Sequence, residues 1–122
     1  MQLQNLLPWS SLIYLGLARF EKLKHVAPLL ALFSFLEHSC PDSFLLTLLD
    51  RAMATCTVML TVHEKGQWVA TNKLPCMLAL VMVLVNDAMK NKKWEFYESY
   101  HLLWHILSFT LLHMAWSNIS VQ

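Results

Sequence analysis

The chain has 122 residues, enough for one domain and too few for two of ordinary size. Hydrophobic residues make up 57% and charged residues 14%, which favours a membrane protein because soluble domains have about 45–50% and about 25%. The formal net charge of +1 excludes a strong electrostatic attraction to nucleic acid. Three cysteines without a CxxC spacing predict neither a disulfide framework nor a thiolate zinc site.

Polar breaks divide the chain into four or five apolar helical segments. The first, from Leu6 to Phe20, contains Pro8 and follows no basic residue, so it is typical of a short first span rather than of a cleavable signal. Pro41 is expected to end the second segment, and Ser43 is expected to cap the third. The predicted segments are Leu6–Phe20, Val26–Leu36, Phe44–Val62, Leu74–Val85 and Phe96–Trp116.

The predicted fold is all-α, with residues 1–122 forming a single transmembrane domain, a polytopic bundle of four to five helices. Much of the third segment and all of the fourth are apolar on every face. Tryptophans and tyrosines fall near segment ends, as in an interfacial aromatic belt. Several segments are shorter than the about 20 apolar residues of a bilayer span, so a soluble helical bundle is the alternative. The host membrane, whether endoplasmic reticulum, Golgi or plasma membrane, is not distinguished.

The basic residues predict an orientation for this bundle. Alternating spans put five of them on one side and three on the other, which favours the first side as cytoplasmic. A glycosylation sequon, Asn118-Ile119-Ser120, lies near the C-terminal end of the sequence. The two basic groups are Arg19, Lys22, Lys24, Lys65 and Lys73 on the first side, and Lys90, Lys92 and Lys93 on the second.

Histidines provide the first candidates for a functional site. His101 and His105 are four residues apart, so both imidazoles lie on one helix face, about 5–6 Å apart at Cβ, which suits two ligands of one metal ion. A histidine pair that only packs between helices fits this spacing equally well. Alternation of the spans puts His38, at the end of the second segment, on the same membrane side, together with Asp50 near the start of the third.

These residues together predict the chemistry of a zinc hydrolase. Three neutral imidazoles and a position open to water form a known catalytic zinc arrangement, in which the metal lowers the pKa of the water to about 7. Asp50 would accept the proton or orient the water, and Ser34, one turn before His38, would donate to a developing oxyanion. Each also has a structural interpretation: Asp50 pairs with an arginine, Ser34 bonds back to a carbonyl, and His38 meets lipid headgroups.

The order and spacing of these residues resemble the signature of the CREST membrane-hydrolase superfamily. That signature places Ser34-x-x-x-His38 on an early helix, Asp50 on the next, and His101-x-x-x-His105 on the last. The superfamily includes alkaline ceramidases, progestin and adiponectin receptors, Per-like proteins that remodel GPI lipids, and the post-GPI-attachment phospholipase group with its relative myomaker. The segment HLLWHIL is similar to the final helix of the family, and ARFEKLK is similar to its first loop.

The resemblance implies a membrane-embedded, zinc-dependent hydrolase of lipid amide or ester bonds, either ceramidase-like or phospholipase-like. His38, His101 and His105 would be the ligands of Zn²⁺. Asp50 and Ser34 would be the catalytic residues, and a membrane lipid would be the substrate.

The predicted chain departs from the family in its number of helices. The family has seven spans, and about two are missing here between Val62 and Leu74 or nearby, which preserves the up-down parity but leaves the wall of the lipid cavity incomplete. The chain could therefore be a shortened, inactive form, or could need a second copy or partner helices. The alternative functions are a non-catalytic member of the superfamily in membrane remodelling or protein interaction, and a helical subunit whose polar residues only mediate helix packing.

Overall fold

A computed structural model of the chain describes residues 8–40, 43–91 and 96–118, with the side chains of residues 89–91 excepted. Within these residues the structure has helices and no strand, which confirms the all-α part of the predicted fold class. Residues 8–10 are α-helical and lead into two 3₁₀-helices, Ser11–Arg19 and Glu21–Leu23. The α-helices that follow are α1 (Val26–Ser39), α2 (Phe44–Glu64), α3 (Gly66–Thr71), α4 (Lys73–Asn91) and α5 (Tyr97–Trp116).

The second predicted helix is longer than its apolar run. α1 continues past Leu36 to Ser39, and the backbone N–H of Cys40 still bonds to the Leu36 carbonyl at 2.9 Å. The polar residues Glu37 and His38 therefore lie in the last helical turn. They are accommodated there because both side chains turn inward and find polar partners. Pro41, the predicted stop, lies outside the described residues.

The third predicted helix begins where its cap was expected. The Ser43 hydroxyl accepts a hydrogen bond from the backbone N–H of Leu46 at 3.3 Å, which satisfies one of the free donors of the first turn of α2. The polar stretch after α2 was predicted to be a break and instead contains the short helix α3. α4 likewise runs beyond its predicted end at Val85 to Asn91, so polarity alone did not mark the helix ends.

The first 3₁₀-helix packs between α1 and α5. Gly16 permits this approach, because a Cβ atom at this position would lie 3.1 Å from the Phe109 ring on α5. Tyr14 and Leu17 on the same 3₁₀-helix are buried, and they contribute to the apolar core. Leu6, the predicted start of this segment, lies outside the described residues. The core comprises Tyr14, Leu17, Leu23, Ala27, Leu30, Ala31, Trp68, Ala115 and Trp116.

Hydrogen bonds and ion pairs show which helix ends lie at the same end of the bundle. Lys22 forms an ion pair with Glu64 at 2.7 Å, and Lys65 donates to Asn118 at 3.2 Å. This end therefore holds residues of the basic group that was predicted to face the cytoplasm. The opposing basic group, Lys90, Lys92 and Lys93, lies outside the side chains that the structure describes, so the predicted orientation stays a prediction.

α2 has the length and composition of a membrane span. Its 21 residues correspond to about 31 Å at about 1.5 Å per residue, the thickness of a bilayer's hydrocarbon core. Among the described residues it is the one helix both long and apolar enough to cross a membrane, since α1 is apolar but has 14 residues. The spanning of a membrane by the other helices stays a prediction.

Candidate metal centre

Three histidines from two helices meet at one end of the bundle. The Nε2 atom of His38 lies 2.9 Å from Nε2 of His101 and 3.2 Å from Nε2 of His105. One ring nitrogen of each residue lies within 4.8 Å of those of the other two, close enough for the three to bind one metal ion. The predicted meeting of imidazoles from distant parts of the sequence is confirmed, and we call this group the histidine cluster.

The two helices position the histidine cluster in different ways. α5 brings His101 and His105 to one face because they are separated by four residues, about one helical turn. α1 brings His38 in its last turn, directly after Glu37. His101 and His105 are 8% and 2% exposed, so the cluster is largely shielded from solvent.

The outer ring nitrogen of each histidine has its own polar partner. The three pairs of Nδ1 and partner oxygen are His38 with Glu37 at 3.0 Å, His101 with Asn86 at 2.8 Å, and His105 with Ser10 at 2.7 Å. A carboxylate oxygen and an amide oxygen only accept hydrogen bonds, and a hydroxyl oxygen can do so. Each imidazole can therefore carry its proton on Nδ1 and direct the Nε2 lone pair towards the centre.

This arrangement suits a cation. Converging lone pairs repel one another unless a positive charge lies between them, and a shared proton is the alternative to a metal ion. Zinc with four ligands and Zn–N distances of about 2.0–2.1 Å holds its ligand nitrogens about 3.3 Å apart. The Nε2 separations of 2.9 and 3.2 Å are close to that value. Outer hydrogen bonds from Nδ1 to carboxylate or carbonyl groups are likewise typical of metal-bound histidines.

Ser34 lies on α1 one turn before His38 and is buried. Its hydroxyl oxygen is 2.8 Å from that of Ser11 on the first 3₁₀-helix, rather than bonding back to a carbonyl as the structural interpretation expected. This contact ties α1 to the N-terminal segment beside the site. A role for Ser34 in stabilising an oxyanion stays a prediction.

Asp50 is half-buried on α2, within electrostatic range of the Tyr14 hydroxyl and of Arg51. Arg51 itself donates to Asp87 on α4 at 2.6 Å. Tyr14 also touches the histidine cluster, because its ring meets the His105 ring edge-on at 5.7 Å between centroids. Asp50 therefore interacts electrostatically with one residue that contacts the cluster, and its role as a proton acceptor stays a prediction.

Aromatic rings cover the histidine cluster on two sides. The Tyr97 ring stacks on His101 with centroids 5.3 Å apart. Tyr14 lies against His105, and its hydroxyl is 2.6 Å from the Ser108 hydroxyl. Ser108 donates its proton to the His105 carbonyl at 3.2 Å, so Tyr14 is the donor to Ser108. These contacts restrict the rotation of both imidazoles.

Sequence reasoning missed the outer partners Glu37, Asn86 and Ser10. A glutamate directly before His38 in an otherwise apolar helix was an available signal, because a carboxylate there needs a partner. Asn86 was assigned to a polar break because it directly follows the apolar run that ends at Val85, but it lies inside α4. Ser10 gave no signal, since it lies inside the first predicted segment next to a second serine, Ser11.

No protein-family model, curated protein or solved structure matches this chain. The fold and the site together define an α-helical protein in which three histidines are close enough to bind a metal ion. The resemblance to the CREST superfamily stays a prediction that depends on the order and spacing of five residues.

Proposed function

We propose that this chain is a membrane-embedded, zinc-dependent hydrolase of lipid amide or ester bonds, related to the CREST superfamily. The observation that carries the proposal is the convergence of three Nε2 atoms, each on a ring whose Nδ1 has an oxygen partner. A site of this kind has three neutral ligands and leaves a fourth position of a zinc ion for water, the arrangement of catalytic rather than structural zinc.

The location in a membrane is supported by the side chains of α2, which are polar where they are buried and apolar where they are exposed. The buried residues of α2 are Thr57 and Thr61, whereas Val58, Met59 and Val62 are more than half exposed. Thr57 and Thr61 bond back to carbonyls four residues earlier, and Trp116 donates to the Thr61 hydroxyl at 3.0 Å. Small polar residues between helices with apolar residues outside are typical of packing in lipid.

A multi-pass arrangement is supported by α4. Its outer face is lined by large apolar side chains. Their exposure to water is unfavourable, whereas their contact with lipid acyl chains is favourable. With α2 and α4 in the bilayer, α1 and α5 between them would lie at the same depth. The exposed apolar residues of α4 are Leu74, Met77, Leu78, Leu80, Val81, Leu84 and Val85.

The chemistry follows from the groups at the site. When bound, zinc would supply a Lewis acid that activates water and polarises a carbonyl. Asp50 would take the proton from the attacking water and pass it to the leaving group. Ser34, whose hydroxyl can rotate away from Ser11, would donate to the oxygen that becomes negative.

The position of the site suits a lipid substrate. His38 is the second-last residue of α1 and His101 lies in the second turn of α5, with His105 one turn further along, so the histidine cluster lies towards one end of both helices. In a bilayer the amide and ester bonds of lipids lie at the boundary between headgroups and acyl chains. The scissile amide or ester bond of a lipid and the histidine cluster would therefore lie at a similar depth in the bilayer.

A non-catalytic member of the same superfamily, acting in membrane remodelling or protein interaction, is the second candidate. It is favoured by the Ser34–Ser11 contact, which uses the hydroxyl for packing, and by the outward apolar face of α4, which a second copy or partner helices could cover. In that protein the metal would hold α1 and α5 together without turnover.

Metal analysis of the purified chain in detergent, with a lipid assay on the same sample, tests both candidates. We expect about one zinc per chain, its loss in His101→Ala, and release of fatty acid from a ceramide or a phospholipid. His63→Ala is the matched control, because the His63 side chain is 81% exposed and remote in sequence from the cluster. Zinc without turnover would favour the non-catalytic candidate, and a chain without metal would refute both.

A further inference from the structure

The Glu37 carboxylate lies beside the histidine cluster, on the side away from its centre. Its side chain is 4% exposed, and Oε2 is 3.0 Å from the Nδ1 atom of His38. The other oxygen accepts a hydrogen bond from the Thr47 hydroxyl on α2 at 3.3 Å. Because carboxylates are almost never buried without partners, this placement requires compensation from the groups around it.

We propose that Glu37 is the positioning residue of the site. It holds the His38 imidazole in the tautomer with the proton on Nδ1, so that the Nε2 lone pair faces the centre of the histidine cluster. It also compensates part of the charge of a divalent cation bound there. The second statement rests on the proposed metal site, whereas the first describes the metal-free protein.

The orientation follows from hydrogen-bond chemistry. An ionised carboxylate only accepts hydrogen bonds, so the ion-pair contact of 3.0 Å between Glu37 Oε2 and His38 Nδ1 favours a proton on that nitrogen. The proton on one ring nitrogen of a neutral imidazole leaves a lone pair on the other. Thr47 fixes the carboxylate from α2, which links the geometry of His38 to the packing of α1 against α2.

The charge distinguishes Glu37 from the other outer partners. Asn86 and Ser10 are neutral, and the three imidazoles that would bind the cation are neutral as well. Glu37 adds a negative charge in direct contact with one ligand of a divalent ion, and so would offset part of the charge of that ion in this buried site. A carboxylate on the outer nitrogen raises the basicity of the ligand, and removing such a partner typically lowers metal affinity about 10–100-fold.

The first test is the tautomer of His38 in the metal-free protein. Nitrogen-15 NMR of histidine-labelled chain in detergent distinguishes a protonated ring nitrogen from one with a lone pair, and His38→Gln assigns the signals. We expect the proton on Nδ1 in the wild-type chain and its redistribution to Nε2 in Glu37→Ala. A wild-type His38 with the proton on Nε2 would overturn the proposal, whether or not the chain binds zinc.

The second test is the affinity for zinc, measured against a competing chelator. Glu37→Gln keeps the size of the side chain and removes its charge, so we expect an affinity about 10–100-fold lower. Glu21→Gln is the control, because the Glu21 side chain is 85% exposed and pairs with Lys24. Thr47→Val leaves the carboxylate in place but loosens it, and should lower the affinity less than tenfold.

The outcomes separate this inference from the proposed function. A wild-type chain without zinc but with His38 protonated on Nδ1 would refute the hydrolase and leave the orienting role intact. If both Glu37→Gln and Thr47→Val bind zinc within twofold of the wild-type affinity, the charge compensation by Glu37 is refuted and the metal site itself is not. Circular dichroism of each variant checks that the helices are retained.

Discussion

Replacing His105 with alanine removes one of the three nitrogens that would hold a metal ion. Its Nε2 atom lies 3.2 Å from Nε2 of His38, and the residue is 2% exposed, so no solvent-exposed group can take its place without rearrangement. Structural zinc sites with four ligands contribute about 10–16 kcal/mol in total, or about 2.5–4 kcal/mol per ligand. At about 1.4 kcal/mol per factor of ten, His105→Ala should weaken zinc binding about 10²–10³-fold.

A competitive chelator titration in detergent measures this change, and the same helix offers the control. His113 lies on α5 near its other end, where its Nε2 atom is 3.2 Å from the Arg19 guanidinium. His113→Ala should bind zinc as the wild-type chain does, since it leaves all three cluster nitrogens in place. An affinity within twofold of wild type for His105→Ala, in a chain that keeps its helical content, would refute the assignment of the cluster as a metal site.

Three further predictions concern the proton acceptor, the helix cap and the membrane. Asp50→Asn should retain about one zinc per chain and lose at least about 10²-fold in lipid hydrolysis, because an amide cannot accept the proton; unchanged turnover would contradict this role. Ser43→Ala should lower the free energy of unfolding in detergent by about 1 kcal/mol through loss of the α2 cap, and an unchanged unfolding curve would speak against it. Val58→Lys, at an outward position that is 55% exposed, should cost about 2.5–3.5 kcal/mol of membrane insertion in a glycosylation-mapping assay, whereas equal insertion would place that face of α2 outside lipid.

The helical class was predictable from composition and spacing. Long apolar runs with few glycines and prolines leave little but helices, and the Ser43 cap was recognisable because a hydroxyl before an apolar run satisfies a free N–H. The pairing of His101 and His105 was equally local, since a separation of four residues puts side chains on one face of any α-helix.

The helix ends were less predictable because burial overrides local polarity. α1 includes Glu37 and His38 instead of ending before them, since both find partners inside the bundle. α4 continues through Asn86 for a similar reason: the amide reaches His101. A polar residue ends a helix when water is its best partner, and none of these three residues is in that position.

Local sequence thus established the helices and the pair of histidines on α5, since both depend on residues a few positions apart. The packing of α1 and of α5 against the first 3₁₀-helix decided that His38 joins that pair, and that Glu37, Asn86 and Ser10 take the outer nitrogens. Those contacts join residues up to 95 positions apart. Such distances are set by the balance of burial and hydrogen bonding over the whole chain, which no short window of sequence contains.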